Sequence, residues 1–352
     1  MIMENTHRTS QLLWILVLAL FAAYLSWMEL SGSDYQIRIL ITCAIFVVFA
    51  VSYNLINGVT GQFSLGPNAF AAVGAYTAAL LTLTPAEKEL SYIIDPLVWP
   101  LNIIHAPFIV ALLAGGFLAA LLGFLTGFPV FRTRGDYLAI VTLGFGEVVV
   151  VIATNAQSVT NGPLGLKAIA DFTNLWWAWG AAVITIFLIS RLVRSSYGLA
   201  LKAIKYDEAA AESIGINTFW HKMMSFTFSA FFAGIGGGLL AHLITTISPT
   251  LFTFFLTFNI LIMIVLGGLG STTGAVIAAV LITWGGEALR FVEEPMTLGT
   301  LEIPGIPGMR MVLFSFLLII MMIFARRGLM GTSEFSWEWI FAKIKTFRRG
   351  AS

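Results

Sequence analysis

The chain of 352 residues is 58% hydrophobic and only 11% charged, with a formal net charge of +1 and a mean hydropathy of +0.91. An ordinary soluble domain carries about 25% charged residues, so most of this chain is built for hydrocarbon, in segments of about 20 apolar residues. The charge balance also excludes a basic recognition face, and no nucleic-acid partner is expected.

Ten apolar runs follow in chain order, at 11–30, 36–56, 68–84, 105–128, 137–155, 174–191, 222–246, 251–268, 270–290 and 310–325. They predict an all-α fold, a polytopic membrane protein with about ten transmembrane helices. The first run is read as a span, because no small-residue cleavage site followed by a soluble domain accompanies it. Cys43, the one cysteine, lies in the second run and reads as inert filling.

Between the second and third runs, Asn57 to Asn68 (NGVTGQFSLGPN) has too many glycines and a proline for a regular helix. Ile247-Ser248-Pro249 interrupts the chain at the corresponding place later on. Such breaks at membrane depth occur only where they are enclosed by protein or line a water-filled cavity. Asn57, Gln62, Ser64 and Asn68 are therefore candidate pathway residues, against the plainer reading of a loop at the membrane edge. Glu147, in the middle of LGFGEVVVVIA, is expected to face the bundle interior, paired or protonated, either as an interhelical hydrogen-bonding group or in contact with substrate.

A polar stretch from Arg191 to Lys222 interrupts the apolar pattern and holds a short helix signal. Asp207 is placed to cap it, Glu208 suits the positive end of its dipole, Ala209, Ala210 and Ala211 propagate it, and Gly215 permits a left-handed exit. A capped helix in a loop between spans reads as a docking surface for a soluble partner and a lever on the membrane part. His242 has no second ligand at metal spacing and reads as a core histidine, and no metal or other cofactor is expected. Gly267-Gly268-Leu-Gly270-Ser-Thr-Thr-Gly274 lacks the Gly-Lys-Ser/Thr ending of a phosphate loop. Gly123-x-x-x-Gly127, Gly234 to Gly238 and Gly270-x-x-x-Gly274 read as small-residue faces between helices. Glu287 and Arg290 are spaced for an i,i+3 ion pair.

Orientation follows from the basic residues. Arg8, Arg132, Arg134, Arg191, Arg194, Lys202, Lys205, Lys222, Arg326, Arg327, Lys343, Lys345, Arg348 and Arg349 share one side if the N-terminus is cytoplasmic, with Lys88 and Lys167 as exceptions opposite. Both termini then come out cytoplasmic. Spans two to five and seven to ten start on opposite sides, which predicts two inverted four-helix repeats with broken helices, flanking spans one and six. The organisation expected is a single transmembrane domain over 1–330, with a cytoplasmic coupling loop at 192–221, and a tail at 331–352 with Trp337 and Trp339 as an interfacial anchor.

Five segments in order, Tyr53–Leu81, Gly135–Val151, Thr160–Leu166, Ser195–Asn217 and Ile262–Val280, resemble the LivM-type permeases of bacterial branched-chain amino acid ABC importers, over about residues 36–329. The resemblance implies a non-enzymatic transport subunit in the bacterial inner membrane. Its implied partners are a LivH-type second permease, two cytoplasmic ATP-binding subunits that hydrolyse ATP, a periplasmic or tethered solute-binding protein, membrane lipid and an amino-acid substrate. It places Asp207, Glu208, Ala209, Ala210 and Gly215 in the ATPase-coupling loop, diverged here from the commoner form. Pro67 stands where many relatives are expected to carry His. Leucine, isoleucine and valine are the implied cargo, with other amino acids, urea or amides as alternatives within the family. An ion-coupled carrier would need intramembrane coupling groups, of which Glu147 is nearly the only candidate, and a membrane enzyme would need a polar constellation the scattered histidines do not supply.

Overall fold

A backbone in hydrocarbon has to satisfy its own polar groups, and this chain does so with helices. The computed structural model describes residues 2–92, 95–132, 137–289, 296–298, 301–303, 309–325, 328–331 and 333–334. The helices are α1 (Ile2–Ser31), α2 (Asp34–Asn54), α3 (Pro67–Thr82), α4 (Pro85–Ser91), α5 (Phe108–Val130), α6 (Tyr137–Asn155), α7 (Gln157–Thr160), α8 (Leu175–Arg194), α9 (Ser196–Tyr206), α10 (Glu208–Ser213), α11 (Thr218–Ile244), α12 (Phe254–Gly267), α13 (Thr272–Ala288) and α14 (Met309–Phe324). Each of the ten expected spans falls on one of them. Six segments among the described residues are long and apolar enough to cross a membrane alone: Asp34–Thr60, Phe108–Val130, Tyr137–Asn155, Leu175–Arg194, Thr218–Ile244 and Pro249–Gly267. The α3–α4 pair, bent by 120°, makes a seventh if taken as one span. The apolar part of α1, Ile15–Ser31, and α13 are shorter.

Local chemistry sets the boundaries. Ser33 and Thr84 form capping boxes with Gln36 and Glu87, and Asn174, Asn217 and Ser271 cap α8, α11 and α13. Between α13 and α14 a short hairpin pairs β1 (Met296–Leu298) antiparallel with β2 (Leu301–Ile303), Met296 opposite Ile303. It is the one pair of strands among the described residues of an otherwise helical chain, and it lies in the connection between the ninth and tenth expected spans, 270–290 and 310–325.

Helices α2 and α11 form the centre, each 78% buried over its apolar window, whereas α6 is 22% buried and lies at the periphery. Small residues permit the closest crossings. A Cβ on Gly74 of α3 would stand 2.0 Å from the Gly234 carbonyl oxygen of α11, and one on Gly123 of α5 would stand 2.7 Å from Ala230 Cβ. The expected small-residue faces at 123–127 and 234–238 are therefore contacts. The 270–274 face is corrected: Gly270 has φ of +97° and serves a turn, and only Gly274 meets a neighbouring helix, at Gly267.

Three contacts define one end of the bundle. Arg38 donates to the Leu243 carbonyl at 3.3 Å, Thr82 Oγ1 lies 2.8 Å from His242 Nε2, and Tyr35 donates to Glu287 at 2.7 Å. So α2 runs away from this end while α11 runs towards it, the relation an inversion requires. His242 is fully buried, with Nδ1 2.8 Å from the Gly238 carbonyl, and is a satisfied core residue. Arg290, the expected partner of Glu287, lies outside the described residues. Lys88, a basic exception to the expected orientation, is buried and donates to the carbonyls of Leu101 and Ile104 at 2.7 and 2.6 Å, tying the loop after α4 to that helix.

At the opposite end the chain returns after α14 to the turn between α12 and α13. Leu329 and Met330 donate to the carbonyls of Leu266 and Gly267, Ser271 Oγ donates to the Ser333 carbonyl, and the Glu334 carboxylate accepts from the amides of Thr272 and Thr273. A carboxylate on the first turn of α13 satisfies orphan amides at the positive end of the dipole. Residues 335–352, with Trp337, Trp339, Lys343, Lys345, Arg348 and Arg349, lie outside the described residues, as do Arg134, Arg326 and Arg327 and the side chain of Arg8.

Candidate coupling loop and helix-break crossing

Helix α2 does not stop at Asn54. It widens into a π turn over Leu55–Thr60 and ends at Gly61, whose φ of +73° reverses the chain. The segment from Gly61 to Gly66 has no regular secondary structure, and Pro67 opens α3 at its first turn, where a missing amide costs nothing. The side chain of Asn57 closes this loop: Nδ2 donates to the Ser64 carbonyl at 3.3 Å and Oδ1 accepts from the Ser64 amide at 3.2 Å. The Tyr53 hydroxyl donates to the same carbonyl. Thr142 of α6 accepts from the Leu65 amide at 2.9 Å.

The second break is the stretch after α11. Ile247 exchanges both backbone hydrogen bonds with Leu166, at 2.9 Å each, and the chain then passes through a short 3-10 turn, Pro249–Phe252, into α12. The two breaks meet at Asn68. Its Nδ2 donates to the Phe252 carbonyl at 3.0 Å, its amide donates to Thr257 Oγ1 at 3.3 Å, and Thr257 donates back to Asn68 Oδ1 at 3.1 Å.

Of the five candidate pathway residues, Asn57, Ser64 and Asn68 are buried and direct their polar groups at the chain itself. Gln62 is half-buried. Glu147 is a correction: expected inside the bundle, it is exposed. The physical reason is its neighbour. Gly146 faces Asn68, so close that a Cβ there would stand 2.8 Å from Asn68 Oδ1, and one residue further round the helix Glu147 is turned away from that contact. Ile140, Val148 and Val151 are exposed with it.

The polar stretch folds as α9, α10 and the start of α11. Asp207 accepts from the Ala210 amide at 3.0 Å, as an N-cap does, and Gly215, with φ of +87°, ends the helix while the Ile216 amide returns to the Ala211 carbonyl at 3.1 Å. Ala211 is buried, whereas Ala209 and Ala210 are exposed, flanked by Tyr206 and Ile214, which are 85% and 74% exposed. Four small or apolar groups thus stand at the surface of the capped helix and not in the core. Inward, Glu208 pairs with the buried Lys222 of α11 at 2.5 Å, and Glu212 accepts from Thr218 at 2.8 Å. Tyr197 of α9 stacks on His221, ring centroids 4.6 Å apart, and donates to its carbonyl.

Lys205 extends from α9 to the first break, donating to the Gly58 carbonyl at 2.6 Å, and loss of water around the ammonium lowers its pKa from the ordinary lysine value. Asn54 accepts from the Gly270 amide at 2.9 Å, so the same joint includes the α12–α13 turn. Sequence reasoning placed Lys205 and Lys222 only as interface charges and passed over Thr142 and Thr257. A lone hydroxyl in FFLTFNI was the available signal for Thr257. Among the described residues no three His, Cys, Asp or Glu side chains converge as a metal site requires.

The chain is 31% identical to the high-affinity branched-chain amino acid transport system permease protein LivM of Salmonella typhimurium, over 91% of this chain and 75% of that protein. It is 32% identical to the protein of the same name from Escherichia coli, over 81% of this chain and 68% of that one, and 24% identical over 45% of its length to a probable LivM permease of Methanocaldococcus jannaschii. No solved structure matches it. The family model described as branched-chain amino acid transport system / permease component matches residues 35–325, which take in both breaks and the α9–α10 loop. A multi-pass helical membrane protein over which this match runs almost end to end, the chain belongs to that family of transport permeases.

Proposed function

We propose that the chain is the membrane permease subunit of an ATP-driven importer that moves leucine, isoleucine and valine into the cytoplasm by alternating access. It works with a LivH-type second permease, two cytoplasmic ATP-binding subunits and a periplasmic or tethered solute-binding protein. The observation that carries the reading is the exposed, capped helix α10, in a chain of this family, tied to α11 through Glu208 and Lys222. Closure of the ATP-binding subunits would displace α10 as a lever, and α11 and the breaks would follow. The names of the relatives support the cargo.

Orientation is part of the proposal. Arg191, Arg194, Lys202 and Lys205 gather at the α9–α10 end, which the positive-inside rule makes cytoplasmic. Helix α1 ends beside the start of α8, where Trp176 donates to Glu29 at 2.7 Å, so its N-terminal end points to the same side as the segment after α14. The span of the domain, 1–330 with the loop at 192–221 and the tail at 331–352, is proposed with it.

Glu147 has a place in this scheme. A carboxylate near the middle of an apolar span is expensive in lipid, so the exposed face of α6 is turned to the second permease or to the water-filled passage between the two. Gln62, half-buried between the exposed Gly61 and Phe63, is the second proposed lining group. The buried Asn57, Ser64 and Asn68 are proposed to set the shape of the passage.

The test is ATP hydrolysis by the assembled complex with its own binding protein. Leucine, isoleucine and valine should stimulate it strongly, and urea, short amides and charged amino acids much less. Stimulation by urea with none by leucine would overturn the cargo assignment.

A further inference from the structure

Lys205 joins three parts of the molecule: α9, the first helix break and the α12–α13 turn packed against that break. Its backbone belongs to α9, its stem crosses Gly61, where a Cβ would stand 2.6 Å from Lys205 Cγ, and its ammonium meets the Gly58 carbonyl. That carbonyl lies in the π turn, where the amides of Gly61 and Gln62 both return to Ile56 and the Ser64 amide goes to Asn57. A cation supplied from α9 thus does the work of a C-terminal cap on the broken end of α2. Gly58 in turn is pressed against the α12–α13 turn: a Cβ there would stand 2.3 Å from the Gly270 amide nitrogen, which donates to Asn54.

We propose that Lys205 is a positioning residue that transmits movement of the α9–α10 loop directly to the first helix break and, through Gly58 and Asn54, to the α12–α13 turn. Glu208 and Lys222 connect the same loop to α11, so the loop has two outputs, one to a continuous helix and one to a break. The charge-assisted bond to a carbonyl is short and directional, whereas the stem is a flexible chain at the surface. Loss of the ammonium therefore uncouples the break from the loop while leaving the docking face of Ala209, Ala210, Tyr206 and Ile214 intact. The inference rests on the coupling-loop reading above, and its test separates the two.

The experiment uses Lys205→Cys in a Cys43→Ala background, assembled with the second permease, the ATP-binding subunits and the binding protein. Unstimulated hydrolysis and retention of the ATP-binding subunits should match the Cys43→Ala parent, while leucine stimulation falls about tenfold, an ordinary size for an allosteric coupling. Alkylation of the purified complex with 2-bromoethylamine, which restores an ammonium on a stem of near-lysine length, should recover the stimulation. Iodoacetamide should not. Because the rescue acts on protein already folded, a merely structural role would not respond to it. Undiminished stimulation in the variant, loss without rescue, or loss of the bound ATP-binding subunits would each overturn the proposal. Expressed directly, Lys205→Arg should retain most of the stimulation and Lys205→Gln little, and equal behaviour of the two would also overturn it. Ala210→Asp, which places a charge on the docking face, should abolish stimulation whatever Lys205 does; if it does not, the coupling-loop reading fails first.

Discussion

Asn68 and Thr257, 189 positions apart, hold each other by two hydrogen bonds, the amide of one to the hydroxyl of the other at 3.3 Å and the hydroxyl back to the side-chain oxygen at 3.1 Å. Both are buried, and each follows one of the two breaks. The pair fixes where the two interrupted helices cross.

Removal of either member leaves a buried polar group unpaired, a loss of about 1–3 kcal/mol. Thr257→Val keeps the shape and should lower the thermal transition of the detergent-solubilised protein. In combination with Asn68→Ala the loss should be smaller than the sum of the two, since they share an interaction. Full additivity would mean that the contact contributes nothing.

Close approach of α3 and α11 depends on an absent side chain. Gly74→Val should abolish monodisperse protein in size-exclusion chromatography, because its Cβ alone would meet the Gly234 carbonyl. Gly144→Ala, at a glycine with nothing within 4 Å, is the control and should be neutral in the isolated chain.

Breaking the Glu208–Lys222 pair has unequal consequences. Lys222 has a side-chain exposure of 9% and Glu208 of 47%, so Glu208→Ala strands a buried cation, whereas Lys222→Met removes it and leaves a carboxylate that water can reach. Glu208→Ala should cost about 1 kcal/mol or somewhat more, and Lys222→Met less, measured by thermal unfolding of the same preparation. The reverse order would show that Lys222 is held by something other than Glu208.

How much of this was legible in the sequence depends on the kind of signal. Hydropathy located the ten long helices among the described residues, and the cap chemistry of Asp207 and Gly215 located α10, because both are local. The glycines of Asn57 to Asn68 announced a break, but nothing local announces that Asn57 and Ser64 bond to each other or that Asn68 meets Thr257. Glu147 was misplaced for a similar reason: burial in a peripheral helix depends on which neighbour lies against which face. Gly146 against Asn68 decides that, and it is a tertiary fact. Lys205 and Lys88 entered the sequence reading only as charges that set orientation, since a lysine that donates to distant carbonyls has no sequence signature.

If the exposed face of α6 borders water in the assembled transporter, Glu147→Cys in a Cys43→Ala background should react with a water-soluble methanethiosulfonate, and nucleotide trapping should change the rate. A thiol in lipid stays protonated and inert. Failure to react in every nucleotide state would place the residue against lipid or dry protein.

The most direct measurement is uptake of radiolabelled leucine by proteoliposomes. With the second permease, the ATP-binding subunits and ATP enclosed on the side of the α9–α10 loop, and the binding protein outside, uptake should depend on ATP and be lost with Ala210→Asp. Uptake by this chain without the ATP-binding subunits, driven by an ion gradient alone, would contradict the account.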